Sequence, residues 1–322
     1  MPIIENSSYK PPIMFSNGHV QTCYPYFFRK VTPMIGERVK IKTSDNDFLE
    51  LDFKSVDSKT LVIQSHGLEG SVDAAYIKGM AKSLNDHQID VLSWNMRSCG
   101  VEMNLQERYY HGGATDDLNS IVNYVIKEKN YSEIILVGFS LGSNITAKFL
   151  GEKGKSLQGK IVKSILFSVP VDLACSENRL HDTLNYHYME TFLKSMRWKL
   201  KEKHKNVKLD HLVDIENVHK VRTLWDFTEN YVAPLHGFKS ASEYYELSSC
   251  KQYLHKIEIP ILIVNAKNDP ILGKNCYPFK EAMKNKNIFL ETPDSGGHIG
   301  FISFKDYYWS EWRTQQFIEH TA

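Results

Sequence analysis

The sequence has few cysteines and none of the common metal or redox motifs. Its five cysteines are scattered over 322 residues, and no two of them form a Cys-x-x-Cys pair. An odd, widely spaced set fits neither a disulfide framework nor a thiolate zinc site. The motifs His-Glu-x-x-His and Gly-x-Gly-x-x-Gly are also missing, so we expect no metal and no redox cofactor.

An excess of charge of one sign and long apolar segments are lacking as well. Lys plus Arg number 39 against 38 for Asp plus Glu, a formal net charge of +1. No global field therefore favours nucleic acid as a partner. No apolar run reaches the roughly 18 residues that a membrane span needs, and residues 1–10 lack the features of a secretory signal. With unpaired cysteines, this pattern predicts a soluble cytoplasmic protein.

Short apolar runs without alternation recur along the chain and are typical of strands buried on both faces of a sheet. They occupy residues 61–63, 91–94, 134–137, 165–169, 261–264 and 288–290. Helix-length amphipathic stretches such as 73–87 and 116–129 separate most of them, and residues 38–54 alternate like a half-exposed hairpin. This rhythm predicts an α/β fold with a mostly parallel central sheet flanked by helices.

The rhythm stops between residues 173 and 250, where no convincing strand occurs. A structureless loop of that length is unusual within a compact domain. We therefore predict an inserted helical lid at 173–250. It divides the core into a first part with the N-terminal segment, residues 1–172, and a remainder, residues 251–322.

Within the predicted lid, apolar residues recur at spacings of three and four, which marks one face of a helix. These residues are Tyr186, Met189, Leu193, Met196 and Leu200. Basic residues lie around them at Lys194, Arg197, Lys199, Lys201, Lys203 and Lys205. Two interpretations are open, transient contact with a membrane surface or packing on the core with the lysines solvated. The narrow apolar face favours packing.

The strongest local signal is Gly-Phe-Ser-Leu-Gly at residues 138–142. It follows the apolar run 134–137 and precedes a helix-compatible stretch at 144–150, which is the strand-turn-helix context of a nucleophile elbow. Glycines two residues before and after the serine relieve crowding in so sharp a turn and leave the hydroxyl exposed. Ser140 is therefore the candidate nucleophile.

A serine hydroxyl is a poor nucleophile at neutral pH unless an imidazole accepts its proton and a carboxylate orients that imidazole. Downstream, Asp269 follows the strand-like run 261–265, and His298 stands after two glycines. The chain order serine, aspartate, histidine is the one expected after an elbow serine. Asp172, which follows the run 165–171, is an alternative carboxylate. Asp269 is favoured because its strand directly precedes the His298 element.

Acyl transfer also requires hydrogen-bond donors for the oxyanion of the tetrahedral intermediate. One candidate is the backbone amide of Leu141, which directly follows the nucleophile at the start of a helix. The other lies in the loop 66–70 after the first buried run, where Gly67 lets the backbone turn toward Ser140. In that loop we predict the Leu68 amide as the donor.

Further blocks of sequence extend over nearly the whole chain. They are Asn17–Thr22, His66–Ser71, Tyr110–His111 with Gly113 and Asp117–Leu118, Gly138–Gly142, Ala233–Phe238, Asn268–Pro270 and Gly296–Phe301. Together they resemble the YheT-like (embryogenesis-associated) branch of the α/β-hydrolases, relatives of mammalian abhydrolase-domain lipases and yeast ethyl-ester synthases. The resemblance implies an α/β-hydrolase fold and places the family triad on Ser140, Asp269 and His298.

The same resemblance implies hydrolysis of carboxylic esters, with short-chain esters, monoacylglycerols or phospholipids as substrate classes. We expect an acyl-enzyme on Ser140 and an apolar acyl pocket supplied by the lid. The residues expected in that pocket are Tyr186, Met189, Phe192 and Met196. An acyltransferase or thioesterase using the same triad is an alternative, and so is a catalytically silent fold that binds a lipid or a partner protein.

Overall fold

The structure, a computed structural model, describes residues 3–32, 36–157 and 159–320. The described strands are β1 (Ile3–Ile4), β2 (Glu37–Lys42), β3 (Phe48–Lys54), β4 (Thr60–Ser65), β5 (Asp90–Asn95), β6 (Glu133–Phe139), β7 (Ile161–Phe167), β8 (Ile261–Val264) and β9 (Ile288–Glu291). They form one sheet in the order β1-β9-β8-β7-β6-β4-β5-β3-β2. Among them, β3 is antiparallel to β2 and β5, and the other pairings are parallel. The predicted fold class is confirmed.

The apolar runs became strands because helices cover both faces of the sheet. In β4, Leu61 and Ile63 belong to the core on one face and Val62 to the core on the other, and all three are 0% exposed. A strand covered on both sides needs an apolar side chain at every position, so no alternation appears in its sequence. The short edge strand β1 pairs with β9 over only two residues, too few to leave a pattern.

Two layers of helices sandwich the sheet. The described α-helices are α1 (Gly18–Phe28), α2 (Ala75–Asp86), α3 (Thr115–Glu128), α4 (Leu141–Lys153), α5 (Leu173–Arg179), α6 (Tyr186–Asn206), α7 (Leu224–Phe227), α8 (Ala233–His236), α9 (Ala241–Ser248), α10 (Phe279–Lys284) and α11 (Trp309–Glu319). Met80 of α2 and Phe317 of α11 are buried on one face of the sheet. Ile121 of α3 and Phe149 of α4 are buried on the opposite face.

Residues 168–260, all of them described, connect β7 to β8 through helices and without a strand. The helices α5 to α9 lie in this connection, which we call the helical insertion (residues 173–250). Its place in the chain is the place predicted for the lid. The division of the chain into domains at 1–172, 173–250 and 251–322 stays a prediction.

The longest described helix, α6, buries the apolar face that the sequence predicts. Its buried residues there are Met189, Leu193, Met196 and Leu200, whereas Tyr186 at its start is 50% exposed. In this structure the face packs on the core, as the favoured interpretation has it. No described helix has the combination of length and apolarity that crossing a membrane requires.

The expectation that the lysines around this face are solvated is wrong for two of them. Lys199 and Lys203 are 6% and 1% exposed. Lys199 forms an ion pair with Glu69 at 2.8 Å, and Lys203 donates a hydrogen bond to Asn104 Oδ1 at 2.8 Å. Burial lowers the pKa of Lys203 to about 8. The two lysines can be buried because Glu69 and Asn104, which are distant in sequence, bind their ammonium groups.

A buried arginine fastens the β2–β3 hairpin turn to the rest of the core. The Arg97 side chain, 1% exposed, follows β5 and contacts Asp45 at 2.9 Å and Asp47 at 2.7 Å in the turn. It also contacts Asp117 near the start of α3 at 2.7 Å. Asp47 and Asp117 are themselves almost fully buried. Arg97 is therefore a close cationic partner of both buried carboxylates, whereas Arg108 lies farther from Asp117, at 4.0 Å.

We predict that Arg97→Met lowers the free energy of unfolding by about 3–5 kcal/mol, because it removes the close cationic partner of two buried carboxylates. Denaturant unfolding of purified protein measures the loss. The matched control is Arg38→Met, since Arg38 contacts Asp52 at 3.5 Å with 40% of its side chain exposed. That exposed pair is worth about 1 kcal/mol or less. Equal losses in both variants would contradict the prediction.

Candidate active site

The carboxyl ends of neighbouring strands bring the predicted site residues to one edge of the sheet. Ser140 directly follows β6, and the loop 66–70 directly follows β4 beside it. Asp269 follows β8, and His298 follows β9. Parallel strands end at the same edge, which is where open α/β sheets place their sites.

Ser140 lies in a strained turn between β6 and α4. Its backbone has φ 51° and ψ −121°, a region that residues other than glycine rarely adopt. A Cβ on Gly138 would lie 2.7 Å from Ser143 Cα, and a Cβ on Gly142 would lie 2.4 Å from the backbone oxygen of His66. Both distances are shorter than any tolerated contact, so the two flanking glycines are required for this turn.

The three predicted side chains form a continuous hydrogen-bonded chain. Ser140 Oγ is 2.7 Å from His298 Nε2, and His298 Nδ1 is 2.8 Å from Asp269 Oδ2. Because an ionised carboxylate only accepts hydrogen bonds, Nδ1 carries the proton and Nε2 accepts from the serine hydroxyl. The Asp269 side chain is 0% exposed, and its Oδ1 accepts hydrogen bonds from the amides of Ile271 and Leu272. The carboxylate is thus fixed from both oxygens.

The alternative carboxylate, Asp172, has a different place in the structure. It caps the amino terminus of α5, where its Oδ1 accepts a hydrogen bond from Cys175 N at 3.0 Å. Its Oδ2 accepts from the Asn275 side chain at 3.3 Å. The structure therefore brings Asp269, and not Asp172, to His298.

The two predicted oxyanion donors both border the same cavity as Ser140. Among the described residues, neither the Leu68 amide nor the Leu141 amide donates a hydrogen bond to another protein group. Leu141 is the first residue of α4, where helix amides have no partner within the helix. Gly67 packs against Ser140, since a Cβ there would lie 3.1 Å from Ser140 Cβ. This arrangement leaves both amides available to a ligand oxygen.

His66 holds the loop that carries Leu68. It is 1% exposed, its Nε2 accepts a hydrogen bond from Met96 N at 3.0 Å, and its Nδ1 donates to Gly67 O at 2.7 Å. Burial lowers the pKa of His66 to about 4, so the imidazole is neutral at neutral pH. Sequence reasoning treated this residue only as part of a turn, because its partner Met96 lies on another strand end.

The helix α1 supports the catalytic-histidine candidate from the other side, a role that the sequence did not reveal. Thr22 Oγ1 accepts a hydrogen bond from His298 N at 2.9 Å and donates one to Gly18 O at 2.7 Å. Gly18 packs so closely on the turn before Asp269 that a Cβ would lie 1.9 Å from Asn268 O. The only sequence signal was the block 17–22 in the family resemblance, without a role attached.

A mainly apolar cavity of about 110 Å³ opens at Ser140 and His298. The helical insertion supplies much of its wall, including Leu173, Phe192, Met196 and Val232. Of the four side chains expected to line an acyl pocket, Phe192 and Met196 do so. The expectation is wrong for Tyr186 and Met189, because the former faces solvent and the latter is buried in the packing of α6.

The architecture and this site match a known protein class. A family model described as the alpha/beta hydrolase fold matches residues 60–304. The matched range includes the turn at residues 138–142, Asp269, His298 and the loop 66–70. The chain belongs to the α/β-hydrolase fold family.

Individual relatives refine this assignment. YheT of Escherichia coli (strain K12) is 26% identical over 292 residues, which cover 89% of this chain and 85% of YheT. Human monoacylglycerol lipase ABHD2 is 27% identical over 325 residues, covering 91% of this chain and 74% of ABHD2. The predicted resemblance to the YheT-like branch is confirmed. The structure of the Pyrococcus furiosus esterase Pf2001 superposes with a TM-score of 0.60 at 16% identity, covering 97% and 100% of the two chains, and shows the shared fold.

Proposed function

We propose that this protein is a serine hydrolase that cleaves carboxylic esters, of the short-chain carboxylesterase or monoacylglycerol lipase type. The observation that carries the proposal is the hydrogen-bonded chain from Ser140 through His298 to Asp269, set at a strained elbow. The relatives monoacylglycerol lipase ABHD2 and YheT, which is named as an esterase, support the same class of reaction.

In the first half-reaction, Ser140 Oγ attacks the ester carbonyl carbon while His298 Nε2 accepts the hydroxyl proton. The carbonyl oxygen becomes an oxyanion and accepts hydrogen bonds from the Leu68 and Leu141 amides. The intermediate then collapses, and His298 returns the proton to the departing alcohol. An acyl group stays bound to Ser140 Oγ.

In the second half-reaction, a water molecule replaces the alcohol and gives its proton to His298 Nε2. Its oxygen attacks the acyl carbon, the same two amides bind the second oxyanion, and the acid departs as Ser140 regains its proton. Asp269 fixes the imidazole orientation and stabilises the imidazolium that forms in each step. No metal or redox group is needed in this sequence of steps.

The helical insertion acts as a lid that supplies the acyl site. The cavity beside Ser140 is mainly apolar, so an acyl chain there leaves water at a gain of about 0.8 kcal/mol for each buried CH₂. Met196 on α6 lines the cavity, and the unbranched methionine side chain adapts to chains of different shape. Small ester or lipid molecules are therefore the proposed substrates.

We predict that Ser140→Ala lowers kcat/KM for p-nitrophenyl esters by about 10⁴–10⁶, since the acyl-enzyme cannot form. The measurement uses a series from acetate to palmitate, and the chain-length profile of the parent protein sizes the cavity. The control is Ser156→Ala, an exposed serine whose hydroxyl donates a hydrogen bond to Lys153 O. Turnover that persists in Ser140→Ala, or is absent from the parent, would contradict the proposal.

We further predict that Asp269→Asn lowers kcat by about 10⁴, because the amide favours the wrong imidazole tautomer. The matched control is Asp172→Asn, which keeps a side-chain oxygen for the α5 cap and should stay within about threefold of the parent. Both rates are measured on the best ester of the series. The reverse ranking would show that the carboxylate has been misassigned.

A further inference from the structure

A buried ion pair links the helical insertion to the loop that carries the Leu68 amide. Lys199 Nζ of α6 lies 2.8 Å from Glu69 Oε1, and the two side chains are 7% and 6% exposed. Glu69 directly follows Leu68 in the chain. Neither charged residue takes part in the proton transfers proposed above, so their burial at this place needs another explanation.

Three side chains donate hydrogen bonds to the Glu69 carboxylate, two from α6 and one from the segment before α3. Besides Lys199, the Ser195 hydroxyl of α6 donates to Oε2, and the Tyr110 hydroxyl donates to Oε1 at 2.5 Å. The backbone of Glu69 is held too, because its amide donates to the Tyr110 hydroxyl at 3.1 Å. Its φ of 55° is left-handed, a conformation that persists in a non-glycine residue only when its surroundings impose it.

Lys199 is equally well bound. It donates a hydrogen bond to Cys99 Sγ at 3.1 Å, and its Nζ lies 4.9 Å from the centre of the Tyr110 ring, a cation–π distance. Burial alone would lower the pKa of Lys199, but Cys99 and Glu69 outweigh it and raise the pKa above its usual value. Burial would likewise raise the pKa of Glu69, but Lys199 and the hydrogen bonds keep it below its usual value. Both groups are charged at neutral pH.

One stripe of α6 serves the cavity and the loop together. Phe192 and Met196 line the cavity, whereas Ser195 and Lys199 bind Glu69. Spacings of three and four place these residues on the same side of a helix. A buried ion pair adds little stability compared with apolar packing, so stability alone does not explain this one. Together with the Ser195 hydroxyl, the pair connects α6 to the loop that carries Leu68.

We infer that Glu69 is a positioning residue, bound by Lys199 and Ser195 of α6, that sets the place of the Leu68 amide beside Ser140. The inference rests on the proposed function, because it assigns the Leu68 amide to the oxyanion. The position of α6 on the core and the position of the Leu68 amide beside Ser140 are then coupled. A displaced α6 would open the acyl cavity and misplace the amide at the same time.

The test compares Glu69→Gln, Lys199→Met and the double variant, using a short-chain ester that makes little contact with α6. Active sites are counted by fluorophosphonate titration carried to its end point, so that slower labelling in a variant does not change the count and unfolded protein does not enter kcat. Each single variant should lower kcat per active site by about 10–100-fold, less than the 10²–10³ for loss of a whole donor. KM should stay within about threefold, because ground-state binding is unchanged.

The double variant separates positioning from stability. It leaves no unpaired charge in the interior, so its melting temperature should recover toward that of the parent, while kcat per active site stays low. A matched control is Arg313→Met on α11. This variant breaks the buried contact between Arg313 Nε and Glu291 of β9, which are 2.7 Å apart. This control should lower the melting temperature without changing kcat per active site. A kcat per site in Glu69→Gln within about threefold of the parent would overturn the inference.

The exchange rates of backbone amides test the inference independently of turnover. The amides of Glu69 and Gly70 are both hydrogen-bonded within this region. Their exchange should accelerate in Glu69→Gln and Lys199→Met far more than in Arg313→Met. If the parent hydrolyses no ester, the proposed function fails, while this exchange still reports whether the pair orders the loop. Equal exchange in all three variants would overturn the inference.

Discussion

The hydrogen bond from Ser140 Oγ to His298 Nε2, 2.7 Å long, is the contact on which the account of this protein depends. The two residues are 158 positions apart in the chain, and each stands on a loop that follows a different strand. Parallel strands bring these loops to one edge, but the short distance needs more than topology. It requires a strained backbone at Ser140 and an imidazole ring whose orientation is fixed by a hydrogen bond at Nδ1.

The rest of the structure supplies those requirements. Gly138 and Gly142 admit the close packing that the turn at Ser140 demands, and the sheet stabilises a conformation that an isolated serine would avoid. Asp269 orients the histidine ring, and Thr22 of α1 fixes its backbone. The buried core thus stabilises the strained backbone of Ser140, which would be unfavourable by itself. Local strain compensated elsewhere in the structure is common at functional sites.

The sequence allowed the sheet to be predicted wherever a local pattern existed, and it failed where the determinant was a distant contact. The strands from β4 to β9 were visible because burial on both faces leaves continuous apolar runs, whereas β1 is too short to show one. Ser140, Asp269 and His298 were predicted as a set because their residue types, order and strand-end positions agree. Lys199 was expected in solvent, since lysines are mostly exposed, and its partner Glu69 is 130 residues away. The support from α1 was missed for the same reason.

Labelling of the folded protein with one equivalent of a fluorophosphonate, followed by peptide mass spectrometry, shows whether Ser140 is an activated nucleophile. Such a reagent reacts with an activated serine whose oxyanion donors are in place. We expect a single adduct on Ser140, which disappears when the protein is unfolded beforehand or when His298 is replaced by Ala. An adduct on another residue, or equal labelling of Ser140 in folded and unfolded protein, would contradict it.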